Sequence, residues 1–375
     1  MHRRNFLQLA AATPLCAAPT VGVEPAYKKV TPYPAQSSSI GMPGKYPGVA
    51  VRTHSAASIE EGTGKVNPDA VREMLARGMV GLTGQRTAKD AWASFFAPSD
   101  VVGIKVNCSG APGVMSTPAV VAGVVENLIA VGVKPDQIWI YERFPDQLSS
   151  AHYDRFVPAG VHIDAIEKSR RSIINYDPKT YVEVDFFGED DTRSNMVRHV
   201  TERFTKIINV PNMKDHGAAG VTGCLKNIAY GNYSNVARSH YREKTNTLSF
   251  IGTLASMEPL RSKTVLQVMD GLRGIWHGGP FAKSPRFYFY PKQIVFGTDP
   301  VALDRLLIDI IDDKRKAEGA ISVWERSMQY VKQRGGELDP NVNRFIREPG
   351  HIEYASKLGL GVYDIQKIQL KTIEV

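Results

Sequence analysis

Short apolar runs of β character alternate with helical patterns along this chain, and polar residues gather where the runs stop. Val101 to Val106 reads as a buried strand ending at Asn107, and Ile138 to Tyr141 as one ending at Glu142. Lys206 to Val210 ends at Pro211-Asn212, Thr264 to Met269 at Asp270-Gly271, and Gln293 to Phe296 at Gly297-Thr298-Asp299-Pro300. Helices lie between them. Thr117-Pro118 is a strong start signal, Val121, Val124, Val125 and Leu128 form an apolar stripe, and Gly132 is the stop. A further helix follows Asp299-Pro300, with Leu303, Leu306, Leu307, Ile310 and Ile311 on one face. This alternation implies an α/β fold: a mostly parallel sheet covered by helices on both faces. Ligands of such sheets bind beyond the carboxyl ends of the strands. Asn107, His216, Lys226, Asp270 and Asp299 are therefore expected to line one cleft at that edge.

The chain divides by composition into three parts. Residues 1–20 read as a twin-arginine signal peptide: Arg3 and Arg4 are followed by Phe6, Leu7 and a short, weakly apolar stretch. Residues 21–90 are rich in Pro, Gly and Ser and read as an irregular linker and wrapping extension. Residues 91–375 read as the α/β domain, with a charged stretch from 312 to 350 taken as solvated helices and loop. The expected location is periplasmic or secreted, and the twin-arginine translocase is the expected partner during export.

Several classes are excluded. With 46 Lys+Arg against 38 Asp+Glu the net charge is +8, but the basic residues are scattered, which argues against a nucleic-acid partner. The mean hydropathy of −0.22 excludes a polytopic membrane protein, and no membrane span is expected in the mature chain. Three Cys and no CxxC leave no iron–sulfur cluster built from the chain's own cysteines. Cys108 and Cys224 fall near the expected ligand edge; two small buried thiols is the plain reading, with a disulfide or soft-metal role as the alternative.

The densest segment runs from Asn212 to Asn227 and holds Lys214, Asp215, His216, Lys226 and three glycines, Gly217, Gly220 and Gly223. It follows a strand and leads into a helix, so its backbone N–H groups, the helix start and two solvated lysines could cradle a phosphate, a carboxylate or an anionic cofactor. Neither the Walker A nor the dinucleotide spacing is present. His216, His240 and His277 are the histidines of interest. His216, His240 and Asp270, with Asp215 nearby, could make an N/O site for a divalent metal, although no compact ligand spacing supports one. Asp299 before Pro300 is also good helix-capping chemistry.

The motifs Val-Gly-Ile-Lys-Val-Asn107, Asn212-Met-Lys214-Asp-His216, Gly220-Val-Thr222-Gly-Cys-Leu-Lys226-Asn227, Asp270-Gly271 and Gly297-Thr-Asp299-Pro-Val-Ala, in this order, resemble the domain of unknown function 362 family over about residues 98–315. The resemblance carries over Lys214, His216, Thr222, Lys226 and Asn227 as site residues. Some members of that family add ferredoxin-like segments, and this chain has none. The resemblance implies a fold and a site rather than a reaction.

The resulting expectation is an exported enzyme of undetermined reaction that binds an anionic small molecule. His216 and Asp270 are its catalytic candidates. Asn107, Lys214, Gly220, Thr222, Lys226 and Asn227 are its anion-binding candidates. The competing reading is a non-catalytic periplasmic ligand-binding or metal-delivery protein. Replacing Arg3 and Arg4 with Lys should retain the protein in the cytoplasm, as read by fractionation; unchanged export in a strain lacking the twin-arginine translocase would contradict the signal assignment.

Overall fold

The computed structural model describes residues 25–35, 40–168, 173–240, 246–281, 284–325, 329–330, 339–343, 347 and 349–375. The signal segment lies outside them. Along the first half of the chain run β1 (Lys28–Val30), β2 (Val49–His54), α1 (Pro68–Thr83), α2 (Ala88–Ala93), β3 (Val102–Val106), α3 (Pro118–Ala130), β4 (Ile138–Glu142), α4 (Pro145–Ser149), β5 (His162–Ala165), β6 (Tyr176–Glu183) and β7 (Arg193–Val197). There follow β8 (Lys206–Val210), β9 (Asn212–His216), β10 (Gly220–Thr222), α5 (Cys224–Tyr230), α6 (Thr247–Ala255), α7 (Leu260–Lys263), β11 (Thr264–Ile275), β12 (Tyr288–Phe289), β13 (Gln293–Gly297), α8 (Pro300–Ala317), β14 (Gln329–Tyr330), β15 (Val342–Asn343), α9 (His351–Lys357) and β16 (Gln369–Glu374).

The α/β reading holds. The main sheet runs β16-β2-β13-β11-β8-β3-β4-β5, with β9, β10 and β12 off this path. Strands β11, β8, β3, β4 and β5 are mutually parallel. Strands β3, β8 and β11 are buried on both sides. Val102, Ile104 and Val106 of β3 pack with α1 and α3 in one apolar cluster. Ile207 of β8 faces the other way, into a cluster with α5, α6 and α8. The period of two along β3 therefore turns Lys105 toward the α5 face. Among the described residues, no helix is long and apolar enough to cross a membrane.

Strand β13 is the exception. It pairs antiparallel with both β11 and β2. The connection from β11 to β13 contains β12 and a 3₁₀ turn at Pro285–Phe287 but no long helix, and a parallel return needs a crossover. Its carboxyl end consequently lies at the opposite edge of the sheet from Asn107. This corrects the placement of Asp299, which does not join the ligand edge. Asp299 instead stitches three segments together: Oδ2 accepts from the N–H of Gly48 (2.9 Å) and Val362 (2.8 Å), and Oδ1 from Ala302 (2.8 Å) at the start of α8.

The division at residue 90 also needs correcting. Val49–His54 is hydrogen-bonded between β13 and β16, and α1 buries Val71, Met74, Leu75 and Met79 against the sheet. Asn67 caps α1 from its side chain, with Pro68 in the first turn. The Pro/Gly-rich residues on either side hid a strand of six residues and a helix that belong to the main body.

The carboxylate of Asp299 satisfies two buried N–H groups and a third that is part-buried, so Asp299→Ala should lower the free energy of unfolding by about 3–5 kcal/mol. Denaturant titration would show it. A change below about 1 kcal/mol would mean that water replaces the carboxylate at those amides.

Candidate functional site

The carboxyl ends of β3 and β4, the β9–β10 hairpin and the start of α5 surround a cavity of about 390 Å3. Lys105, Asn107, Glu142, Arg143, Asp215, His216, Thr222, Lys226, Asn227, His240, His277 and Arg347 supply its polar wall. Phe144, Tyr230, Val236 and Phe281 supply apolar surface.

The hairpin was not foreseen. Residues 212–222 form two paired strands, with His216 opposite Gly220 and Lys214 opposite Thr222. Lys214 and His216 share one face of β9 by alternation. The expected cradle of backbone amides at the start of α5 does not exist: the N–H groups of Cys224 and Leu225 are held by Asp304 Oδ1 (2.6 Å) and Oδ2 (2.9 Å). Gly223 is required for that contact, because a Cβ there would fall 2.0 Å from Asp304 Oδ1. Gly220 adopts φ +79° and packs against Pro349 rather than lining the cavity. The charge of the site is a side-chain property.

Two asparagines organise the floor. Asn107 accepts from Lys214 Nζ (2.8 Å) and Ser109 Oγ (3.1 Å) at Oδ1, and donates to Asn227 Oδ1 (3.2 Å). Asn227 donates in turn to Asn209 Oδ1 (2.8 Å). Lys105 reaches the same floor and pairs with Glu142 at 2.8 Å. Glu142 also accepts from the N–H of Cys108 (3.0 Å) and Arg143 (2.6 Å). Gly231 makes room for Lys105, since a Cβ there would lie 1.9 Å from Lys105 Cε.

The cations outnumber their partners. Lys105 has Glu142, and Arg143 has Glu167 at 2.7 Å. Asp215 is shared by Arg315 (3.7 Å) and Arg347 (3.6 Å). Lys214 and Lys226 form no ion pair with any described carboxylate. Both are buried, at 0% and 8% exposure, which corrects the reading of them as solvated. Burial drives both ammonium groups down to about 7, and for Lys226 the nearby Lys214, Lys105 and Arg143 push the same way. Lys226 lies over the Tyr230 ring at 4.8 Å. Arg347 is 1% exposed, and its Nε and Nη1 have no hydrogen-bond partner among the described residues. Thr222 Oγ1 is also buried without one. A buried donor left unpaired costs about 1–3 kcal/mol, so donors of this kind mark where an acceptor belongs.

His216 and His240 are held neutral by burial. His216 Nδ1 accepts from the N–H of Ala218 (3.1 Å) and Ala219 (3.2 Å), which fixes the proton on Nε2. Burial first, then Lys226, His240 and Arg347, hold its pKa far below the ordinary value. This tautomer makes His216 a hydrogen-bond donor rather than a base. It is also the wrong one for a metal, since a metal on Nε2 requires that nitrogen's lone pair. His240, whose ring centroid lies 5.2 Å from that of His216, is pushed to about 3 by burial and Lys226. Asp270 is absent from the cavity wall. Strand β11 continues through it to Ile275, and its carboxylate accepts from the N–H of Thr117, at the start of α3, and of Leu272. The structure therefore does not bring His216, His240 and Asp270 together. No group of three His, Cys, Asp or Glu among the described residues could hold a metal ion, so the donor set does not fit one. His277 lines the cavity and meets Arg315 at 3.2 Å. Cys108 and Cys224 are free, buried thiols.

The family model described as "Domain of unknown function (DUF362)" matches residues 102–309, more than half of the chain. The chain belongs to this family. No curated protein matches it. The DUF362 match contains every residue of the cavity wall except Val342 and Arg347. Arg347, with its two unpaired donors, is thus brought to the DUF362 site by the chain beyond the matched region.

Lys105 carried a signal in the sequence, a lysine inside an otherwise apolar strand. Arg315 and Arg347 carried none, because they sit among charged residues and are buried only by tertiary contacts.

Folded, Lys226 holds its proton to about pH 7; its ordinary value is 10.5. The unfolded chain therefore binds more protons between those values, and stability in the absence of ligand should rise with pH across that window. Lys226→Met should remove the buried charge and raise the free energy of unfolding at pH 7 by on the order of 2 kcal/mol. The gain should vanish near pH 10. A variant that instead loses several kcal/mol at every pH would make Lys226 a structural partner.

Proposed function

We propose that this protein is an exported enzyme whose substrate is an anionic small molecule with an apolar or aromatic body, bound in the cavity between β3, the β9–β10 hairpin and α5. The observation that carries this reading is the unneutralised charge at the site: among the described residues, Lys226 has no ion-pairing carboxylate and Arg347 has two unpaired buried donors, both on the cavity wall. A carboxylate or phosphate supplies the missing acceptor, and charge-assisted hydrogen bonds to such a group are the strong kind. Phe144, Tyr230 and Phe281 give the remainder of the molecule apolar contact. Asn107, Asn227 and Thr222 provide neutral polar groups beside it, and Lys214 reinforces the positive field from behind Asn107. Export rests on the Arg3-Arg4 segment of the sequence.

An enzyme is favoured over a carrier by the state of Lys226. A binding protein is served by a fully charged cation. A lysine titrating near 7 spends much of its time as a free amine, which is the form that does chemistry. The metal-delivery alternative receives no support from the donor set.

An entering anion neutralises Lys226 and Lys214 and raises their proton affinity, so binding takes up protons when the lysines start deprotonated. Thermal melts with inorganic phosphate and with 3-phenylpropionate should show a rise in midpoint at pH 6. The rise should fade by pH 9, where the ligand-free lysines are neutral. Arg347→Met should abolish most of the shift. If neither anion moves the midpoint at pH 6, the anion-binding reading fails.

A further inference from the structure

Lys226 is, among the described residues, the cation of the cavity wall that has no carboxylate within ion-pair distance; Lys105, Arg143 and Arg347 each have one. It sits on α5, one residue before Asn227 of the polar floor, with its ammonium over the Tyr230 ring. Lys226, His216 and Arg347 all line this one cavity. Arg347 offers two unpaired donors there, and His216 bears its proton on Nε2.

We propose that the substrates of this site are 2-oxo acids, whose carboxylate Arg347 holds and whose carbonyl carbon Lys226 attacks to form a Schiff base. The inference rests on the anion-binding reading above and adds to it a covalent role for one residue. In the step, the Nζ lone pair of neutral Lys226 forms a bond to C2 while the carbonyl π pair moves onto oxygen. That oxygen takes a proton and the nitrogen loses one, giving the carbinolamine. The hydroxyl then leaves as water after a second protonation, the nitrogen pair closes the C=N bond, and the last N–H proton is released. The sum is amine plus ketone giving imine plus water, with no change of oxidation state and no further reactant. His216 is the neutral donor available to the carbonyl oxygen. The attacking nitrogen must be unprotonated; in the free site burial together with Lys214 and Lys105 meets that requirement near neutral pH, and a substrate carboxylate, its charge taken up by Arg347, moves the requirement to a somewhat higher pH. A lysine in a hydrophobic, cation-rich pocket is activated by this pair of effects.

The test uses the intact protein with phenylpyruvate as probe and borohydride as trap, followed by intact mass and peptide mapping. The expected result is one reduced adduct per chain, mapped to Lys226. Its yield should rise from pH 6 to pH 8 as the amine deprotonates, and excess 3-phenylpropionate should suppress it. Arg347→Met should lower the yield at sub-saturating probe by at least tenfold. Adducts spread over exposed lysines, or none at Lys226, while 3-phenylpropionate still raises the melting midpoint, would overturn the Schiff base and leave the anion site standing. Absence of both the adduct and the midpoint shift would overturn the two readings together. An adduct at Lys226 whose yield is indifferent to Arg347→Met would overturn the assignment of the carboxylate.

Discussion

Lys214 and Lys226 are buried near one another with no ion-pairing carboxylate among the described residues, and the architecture of the site follows from that fact. A buried cation without a partner is costly, and a protein normally removes it or shifts its protonation. Here the available acids are committed elsewhere. Glu142 serves Lys105, Glu167 serves Arg143, and Asp215 is shared by Arg315 and Arg347. Neutral oxygens take up part of the load, with Lys214 donating to Asn107 and the Tyr230 ring lying beneath Lys226. The remaining imbalance is the attraction the site offers to an anion.

The scaffold explains how such a cluster is tolerated. Parallel strands β3, β4 and β8 end at one edge, and each contributes from its own end: Asn107 after β3, Glu142 at the end of β4, and the β9–β10 hairpin after β8. Two apolar layers hold those strands rigidly, one with α1 and α3 and the other with α5, α6 and α8. The antiparallel strand β13 sends Asp299 to the far edge, where it ties the amides of Gly48, Ala302 and Val362 together. Asp304, one turn further along α8, holds the start of α5 and so fixes the helix that carries Lys226. Its own carboxyl is raised to about 7, chiefly by burial. Structural acids thus act at one remove from the cavity, and the cavity wall keeps its positive excess.

Much of this was legible in the sequence. The alternation of strand and helix patterns gave the α/β class, and Thr117-Pro118 and Asp299-Pro300 marked true helix starts. Placing polar residues at strand ends brought Asn107, His216, Lys226 and Asn227 to one cavity. A local pattern does not encode strand direction. Gln293–Gly297 is as apolar as its neighbours, so nothing in it says that it runs backwards, and Asp299 was misplaced for that reason. Asp270 was misplaced because β11 continues past it, its turn-like Asp-Gly step notwithstanding. Gly220 and Gly223 suggested an anion cradle, yet they serve close packing against Pro349 and Asp304. Arg347 was invisible because its neighbours are charged and only the tertiary fold buries it. The state of His216, a donor by virtue of the Ala218 and Ala219 amides, is likewise a property of three-dimensional contacts.

The charge state of Lys226 is the property on which the site depends, and a direct titration measures it. The protein would be labelled with isotopic lysine, the Lys226 resonance assigned by comparison with Lys226→Arg, and its side-chain chemical shift followed from pH 5 to pH 11. The account predicts a midpoint near 7 without ligand, as burial and the surrounding cations require, and a clear upward move when 3-phenylpropionate is added. A midpoint near the ordinary 10.5, unmoved by the anion, would show a lysine already neutralised by its surroundings and would contradict the central claim.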